Sequence, residues 1–175
     1  VWGGYEREIR ERAAALYTAC VVDDALVSFA NVDGSGRGDR VTLCYLDVET
    51  MRALSAYDVR WTAVANRSEA ILTDSRALMS SELPLYRASY TPAKDMFSNA
   101  AAQMTEAALT ILHAAQISAA GEQTLDWLDA QLGAGAIYAQ YASNGQVGYG
   151  FRYEAIGSYA VLAQVGAVSG HTELA

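Results

Sequence analysis

The chain has 175 residues, of which 52% are hydrophobic and 18% charged, with a formal net charge of -8. That length and composition support a packed core and exclude a disordered chain. The acidic balance argues against nucleic acid and anionic membrane as partners, because both call for a basic surface, and is compatible with a neutral polymer such as a polysaccharide.

Two prolines in the whole chain, with abundant alanine, favour helices over a sandwich or barrel. No apolar run reaches the length of a membrane span, and the opening residues do not resemble a signal peptide. The start at Val1 rather than methionine points to a processed or trimmed chain. The two cysteines, Cys20 and Cys44, read as buried thiols, with a disulfide as the alternative.

Residues 5–20 carry Ile9, Ala13, Leu16, Tyr17 and Cys20 at the spacing of one helical face. Glu6–Arg10 and Glu8–Arg12 stand four apart on the other face, in the favourable order. Residues 21–30 read as a small β-ribbon turning at Asp23-Asp24. In the glycine-rich loop 31–39, Asn31, Asp33, Ser35 and Asp39 fall at positions similar to a calcium loop, but the twelfth position is Thr42 rather than glutamate. An ordinary turn is the other reading.

Asp47 predicts an N-cap for a helix carrying Val48, Met51 and Leu54, and Asp58 a cap for the next, with Trp61, Val64, Ala65, Ser68, Ile71 and Leu72 on one face. The short turn at Tyr57 makes the two an antiparallel hairpin. Residues 83–95 read as irregular, with Pro84 and Pro92 as breakers. A second pair is predicted from about residue 98, its long helix holding Ala101, Met104, Ala108, Ile111, Leu112 and Ala115 on one face. Gln103, Glu106, Thr110 and His113 form a solvated stripe there. Gly121 breaks this helix, Thr124 caps its partner, and Gly133 ends the partner. After an irregular stretch at 136–152, a third helix is predicted over 154–169, apolar nearly all round and so buried on most sides. Helix pairs recurring at about 50 residues signal stacked supersecondary units. The expected fold is all-α: helical hairpins forming part of an (α/α)6 toroid, in one domain spanning 1–175.

Three runs carry a resemblance. Leu43-Cys-Tyr-Leu-Asp-Val-Glu-Thr-Met-Arg-Ala-Leu54, followed by Asp58-Val-Arg-Trp61, resembles a segment of family 8 glycoside hydrolases and the bacterial cellulases related to them. There, a serine-tyrosine-leucine-type run opens an inner helix and a tryptophan starts the outer one. The pair over 98–132 is similar to the helical hairpins of family 8-like proteins. Gly150-Phe-Arg-Tyr-Glu-Ala-Ile-Gly-Ser-Tyr-Ala-Val-Leu162 is similar to the family's glycine-tyrosine-aspartate-alanine-isoleucine-arginine run, whose aspartate is catalytic. The match places Glu154 at the catalytic position, with Gly157 where the family has arginine. The family's serine-glutamate-glycine run is absent from these residues. The resemblance therefore implies a toroid whose N-terminal helices, with the general acid, come from outside this chain or from a second one. It also favours an extracellular or cell-surface setting.

Glycoside hydrolysis needs two carboxyl groups, one protonating the leaving oxygen and one activating water or attacking. The resemblance implies inverting-type hydrolysis of a polysaccharide with Glu154 as general base. Asp47, and Tyr45, Tyr86, Tyr90, Tyr138, Tyr141 and Tyr153 in or beside the irregular segments, are the candidate substrate contacts, since aromatic rings with hydroxyl tips suit sugars. No metal-ligand spacing, nucleotide-binding glycine loop or nucleophile elbow is present, and no cofactor is expected. A non-catalytic helical domain binding glycans or a protein partner is the alternative.

Overall fold

A computed structural model describes residues 4–171 and 174. Helix α1 (Glu6–Cys20) lies on the surface, with Ala13 as its buried residue. Its docking is specific: the Trp61 indole Nε1 donates to Ala13 O at 3.2 Å, Tyr17 meets the Trp61 ring edge-on, and the Arg10 guanidinium donates to Tyr57 O at 2.6 Å. The chain then enters the predicted ribbon, β1 (Val21–Val22) paired antiparallel with β2 (Ala25–Leu26). Asp23 and Asp24 both hold positive φ, as a two-residue hairpin turn requires, and aspartate tolerates that region better than most residues.

The 31–39 loop closes on itself. Asn31 N donates to Gly36 O, Asp33 Oδ1 accepts from Ser35 N, and Asn31 Nδ2 donates to Ser35 Oγ. Strand β3 (Val41–Thr42) and a 3-10 turn over Leu43–Tyr45 lead to α2 (Val48–Leu54). Asp47 caps α2 as predicted, accepting from Thr50 N at 2.9 Å and Thr50 Oγ1 at 2.6 Å. Helix α3 (Trp61–Thr73) returns against α2 and buries the six residues expected. Asp58 is not its cap. The carboxylate instead tightens the entering turn, accepting from Arg60 N and from the Arg60 guanidinium at 2.6 Å.

The stretch expected to be irregular forms part of a sheet. Strand β4 (Ser89–Thr91) pairs antiparallel with β3 on one side and with β5 (Met96–Phe97) on the other. Strand β6 (Ala102–Gln103) precedes α4 (Met104–Gln116), which therefore begins six residues later than the apolar spacing suggested. Helix α5 (Glu122–Gly133) follows Gly121 at its N-cap. Thr124, expected as its cap, sits inside the helix, almost fully buried, and donates to Pro84 O at 2.8 Å. Strand β7 (Gln140–Tyr141) pairs with β6, and α6 (Ile156–Ser169) completes the order. The described residues are thus six helices with three small antiparallel sheets, a mixed fold rather than an all-α one.

One core joins these elements, with Trp61, Leu43, Met104, Ile111, Leu128 and Leu162 almost wholly excluded from water. Helix α4 packs between α2 and α6. The expectation that α6 is buried on most sides fails. It buries one face, through Ser158, Leu162, Val165 and Gly166, while Ile156 is 74% and Val168 49% exposed. Apolar composition without amphipathic periodicity left the face undetermined, and the tertiary neighbours decide it. The end of α6 is held to α5 by a bond between His171 Nε2 and Asp129 Oδ2. Both cysteines are free thiols.

Candidate functional site

Two short backbone ladders bring the starts of α4 and α6 to one level. Ala102 pairs with Tyr141 and Gln103 with Gln140. Beyond that pair, Met104 N donates to Ala139 O at 2.9 Å, Ala139 N to Tyr153 O at 3.0 Å, and Ala155 N to Ile137 O at 2.8 Å. Tyr138 and Glu154 form an isolated bridge. The segments entering α4 and α6 therefore flank residues 137–141, and the two packed helices run in the same direction from a shared rim. Their unpaired N–H groups make that rim favourable to negative charge.

Glu154 stands on the rim, exposed, with its Oε2 accepting from the Tyr159 hydroxyl at 3.4 Å. Tyr159 OH also accepts from Ile137 N at 3.1 Å, which ties the glutamate to the ladder. Helix α6 begins two residues after Glu154, so the carboxylate belongs to the approach to the helix and not to its first turn. Tyr153 is more than half exposed and lines a cavity of about 660 Å³ with Tyr149, Arg152 and the 142–148 turn. Tyr149 projects fully into solvent. Gly148 lies where any Cβ would meet Gln140 Oε1 at 2.4 Å, so the loop and the ladder are closely packed.

The remaining candidates divide by burial. Tyr45 is 59% exposed in the 3-10 turn before α2, and Tyr138 is half-buried beside Glu154. Asp47 has both carboxylate oxygens engaged by Thr50. Tyr86, Tyr90 and Tyr141 lie in the core rather than along a loop surface. The Tyr86 hydroxyl donates to Ala119 O at 3.4 Å, and burial pushes its ionisation up to about 12. Tyr90 donates to Asp95 at 2.9 Å and accepts from Arg67, while Tyr141 packs edge-on against Trp127 and accepts from Tyr138 N. Burial raises the ionisation of both. These three rings fill the interior, and the structure brings Glu154, Tyr153 and Tyr138 together.

The solvated stripe expected on α4 is only partly that. Thr110 is buried, its hydroxyl bonded back to Glu106 O at 2.9 Å, and His113 faces Gln116 near the far end of the helix. Glu106, in the first turn, opens onto a cavity shared with Ser28, Thr42 and Ser89. It enters no ion pair among the described residues. Its helical spacing with His113 concealed this position, because the strands facing it leave no periodic signal. Among the described residues no group of three or more His, Cys, Asp or Glu is gathered to hold a metal ion.

No family model matches the chain, and no curated protein matches it. Solved structures share its fold. A novel alpha-amylase from Clostridium perfringens superposes with a TM-score of 0.79 and 26% identity, over 93% of this chain and 48% of that one. The apo structure of a beta-1,3-1,4-glucanase from Paenibacillus sp. X4 superposes with a TM-score of 0.73 and 13% identity, over 97% of this chain and 51% of that one. The chain spans about half the length of these structures, and its fold is one found in glycoside hydrolases.

Proposed function

We propose that the chain is the C-terminal part of a family 8-type (α/α)6 toroid that hydrolyses a polysaccharide by inversion, with Glu154 as general base. The observation that carries this reading is the position of Glu154. It lies on the shared rim of two parallel helices, flanked by exposed Tyr153 and half-buried Tyr138, in a fold shared with an amylase and a glucanase. Two features support the larger ring: the half-length match, and the exposed apolar residues Ile156 and Val168 on the uncovered side of α6.

In this scheme the Glu154 carboxylate takes a proton from a water molecule as the water oxygen bonds to the anomeric carbon. The glycosidic C–O bond breaks on the opposite face, and the leaving oxygen takes a proton from an acid outside this chain. An inverting pair stands roughly 6.5–9.5 Å apart to admit that water, so the acid comes from elements facing the rim. Tyr153 and Tyr138 supply apolar ring faces and hydroxyls to adjacent sugar units. Glu154→Gln keeps the shape and removes the base, so it abolishes hydrolysis by the natural protein while leaving its melting temperature within about 2 °C, as expected for an exposed side chain. Retained hydrolysis in that variant would sink the assignment.

One observation favours a second reading, a glycan-binding domain without catalysis. Glu154 is exposed and touches one phenol, whereas Tyr149, fully exposed, and Tyr153, more than half exposed, suit stacking against sugars. Under that reading Tyr149→Ala weakens glycan binding and Glu154→Gln changes nothing.

A further inference from the structure

On the sheet β3-β4-β5, the two-residue alternation of side chains separates an inner and an outer face. Val41 and Tyr90, directly paired, point into the core and are almost fully buried. Their neighbours Thr42 and Ser89, paired with each other, therefore face outward. Two further hydroxyls extend this pair. On one side Ser28 Oγ donates to Arg40 O at 2.8 Å and stands 2.6 Å from Thr42 Oγ1, so the Thr42 hydroxyl donates to it and both keep only acceptor capacity; Ser28 N also donates to Arg40 O. On the other, Ser98 Oγ accepts from Ser89 N at 3.3 Å, and Ser98 N donates to Ser89 O. Four hydroxyls on four adjacent segments form a row. At a spacing of about 4.8 Å between neighbours the row extends roughly 14 Å.

Two cavities, of about 280 and 420 Å³, lie along this row and share Asp39, Arg40 and Ser89, so they form one groove. Each is near the lower bound of about 300 Å³ for small-ligand sites, and together they suit a short chain better than a single ring. Phe29, 57% exposed, walls the first, while Phe97, paired with Tyr90, packs its ring on the inner face. The charged rim is balanced: Asp39 and Glu106 against Arg40 and Lys94. Accepting hydroxyls at Ser28 and Thr42, carboxylates that accept from vicinal diols, and the Phe29 ring match a neutral oligosaccharide. The balance of charge disfavours a uronate or sulfated chain.

We infer that this groove, with Ser28, Thr42, Ser89 and Ser98 as its floor and Glu106 at its mouth, binds a neutral oligosaccharide strand. It rests on the carbohydrate reading above but uses none of the residues assigned there. The test is a titration of the natural protein, isotopically labelled, with maltoheptaose and with a mixed-linkage β-glucan oligosaccharide, followed by amide resonances. Perturbations at residues 28, 42, 89 and 98, weakened about fivefold for each hydroxyl removed in Thr42→Val and Ser89→Ala, support the groove. Should those variants misfold, Phe29→Ala on the exposed loop replaces them and weakens binding comparably. Perturbations confined to residues 138–154, or binding unchanged in the variants, overturn the groove and leave the rim assignment standing. No perturbation anywhere with either sugar overturns both.

Discussion

Replacing Trp61 by phenylalanine tests how α1 is held to the rest of the molecule. The indole is almost fully buried, its Nε1 donates to Ala13 O at 3.2 Å, and its ring meets Tyr17 at a centroid distance of 6.1 Å. Phenylalanine retains a six-membered ring for the Tyr17 contact but loses the hydrogen bond, worth about 1 kcal/mol. It also loses the apolar atoms of the five-membered ring, worth about 2 kcal/mol at the usual burial coefficient. For a chain of this length a loss of about 3 kcal/mol lowers the melting temperature by roughly 6–12 °C. Circular dichroism melts give the shift, and limited trypsin digestion at Arg7, Arg10 and Arg12 reports whether α1 detaches first. A shift below about 2 °C with unchanged digestion would refute the argument that this indole is the anchor of α1.

Asp47→Ala removes both bonds to Thr50 and costs about 1 kcal/mol, seen as a melting shift of roughly 2–4 °C, with Asp47→Asn recovering most of it. Acid stability follows Asp58, Asp74 and Asp95, each held below the ordinary carboxylate range first by a side-chain hydrogen bond from Arg60 or Arg76. A depressed folded value means that their stabilisation is present above about pH 4 and is lost as pH falls through the folded values. Because these pairs are solvent-exposed, the melting temperature falls only modestly below pH 4 on their account, and Arg76→Met makes that fall shallower; an identical slope in the variant would contradict the pairing. Burial, with a smaller contribution from Glu106, pushes the Cys44 thiol up to about 11. Iodoacetamide at pH 8 therefore alkylates the half-exposed Cys20 and spares Cys44, and mass spectrometry of the peptides checks the order.

The helices were legible wherever one face alone is apolar. The face of α3, the Asp47 cap and the Asp23-Asp24 ribbon turn are readable from spacing and side-chain chemistry, whereas on the predicted face of α1 only Ala13 is buried and Leu16 is exposed. The sheets were not. Strands of two or three residues, such as Val41–Thr42 and Ala102–Gln103, are too short to show alternation, and their partners lie up to 49 positions away, as for Val41 with Tyr90. For the same reason the start of α4 was set too early, since apolar Ala101 and Ala102 extend its periodicity into a strand. Tyr86, Tyr90 and Tyr141 stand in or beside segments that the sequence predicts to be irregular. Burial of a tyrosine depends on long-range partners such as Ala119 and Trp127, which spacing does not encode. Glu154 was placed by a resemblance in its surrounding run, and the structure adds the ladder that sets it beside α4.

The most direct test of the central claim is the release of reducing sugar from mixed-linkage β-glucan and from starch by the natural protein and its Glu154→Gln variant. The account predicts hydrolysis of at least one polymer by the natural protein and loss of about a thousandfold or more in the variant, since the base acts only in the transition state. Equal rates in the two proteins would contradict the role of Glu154. No release from either polymer, with glycan binding retained, would make the chain a binding domain.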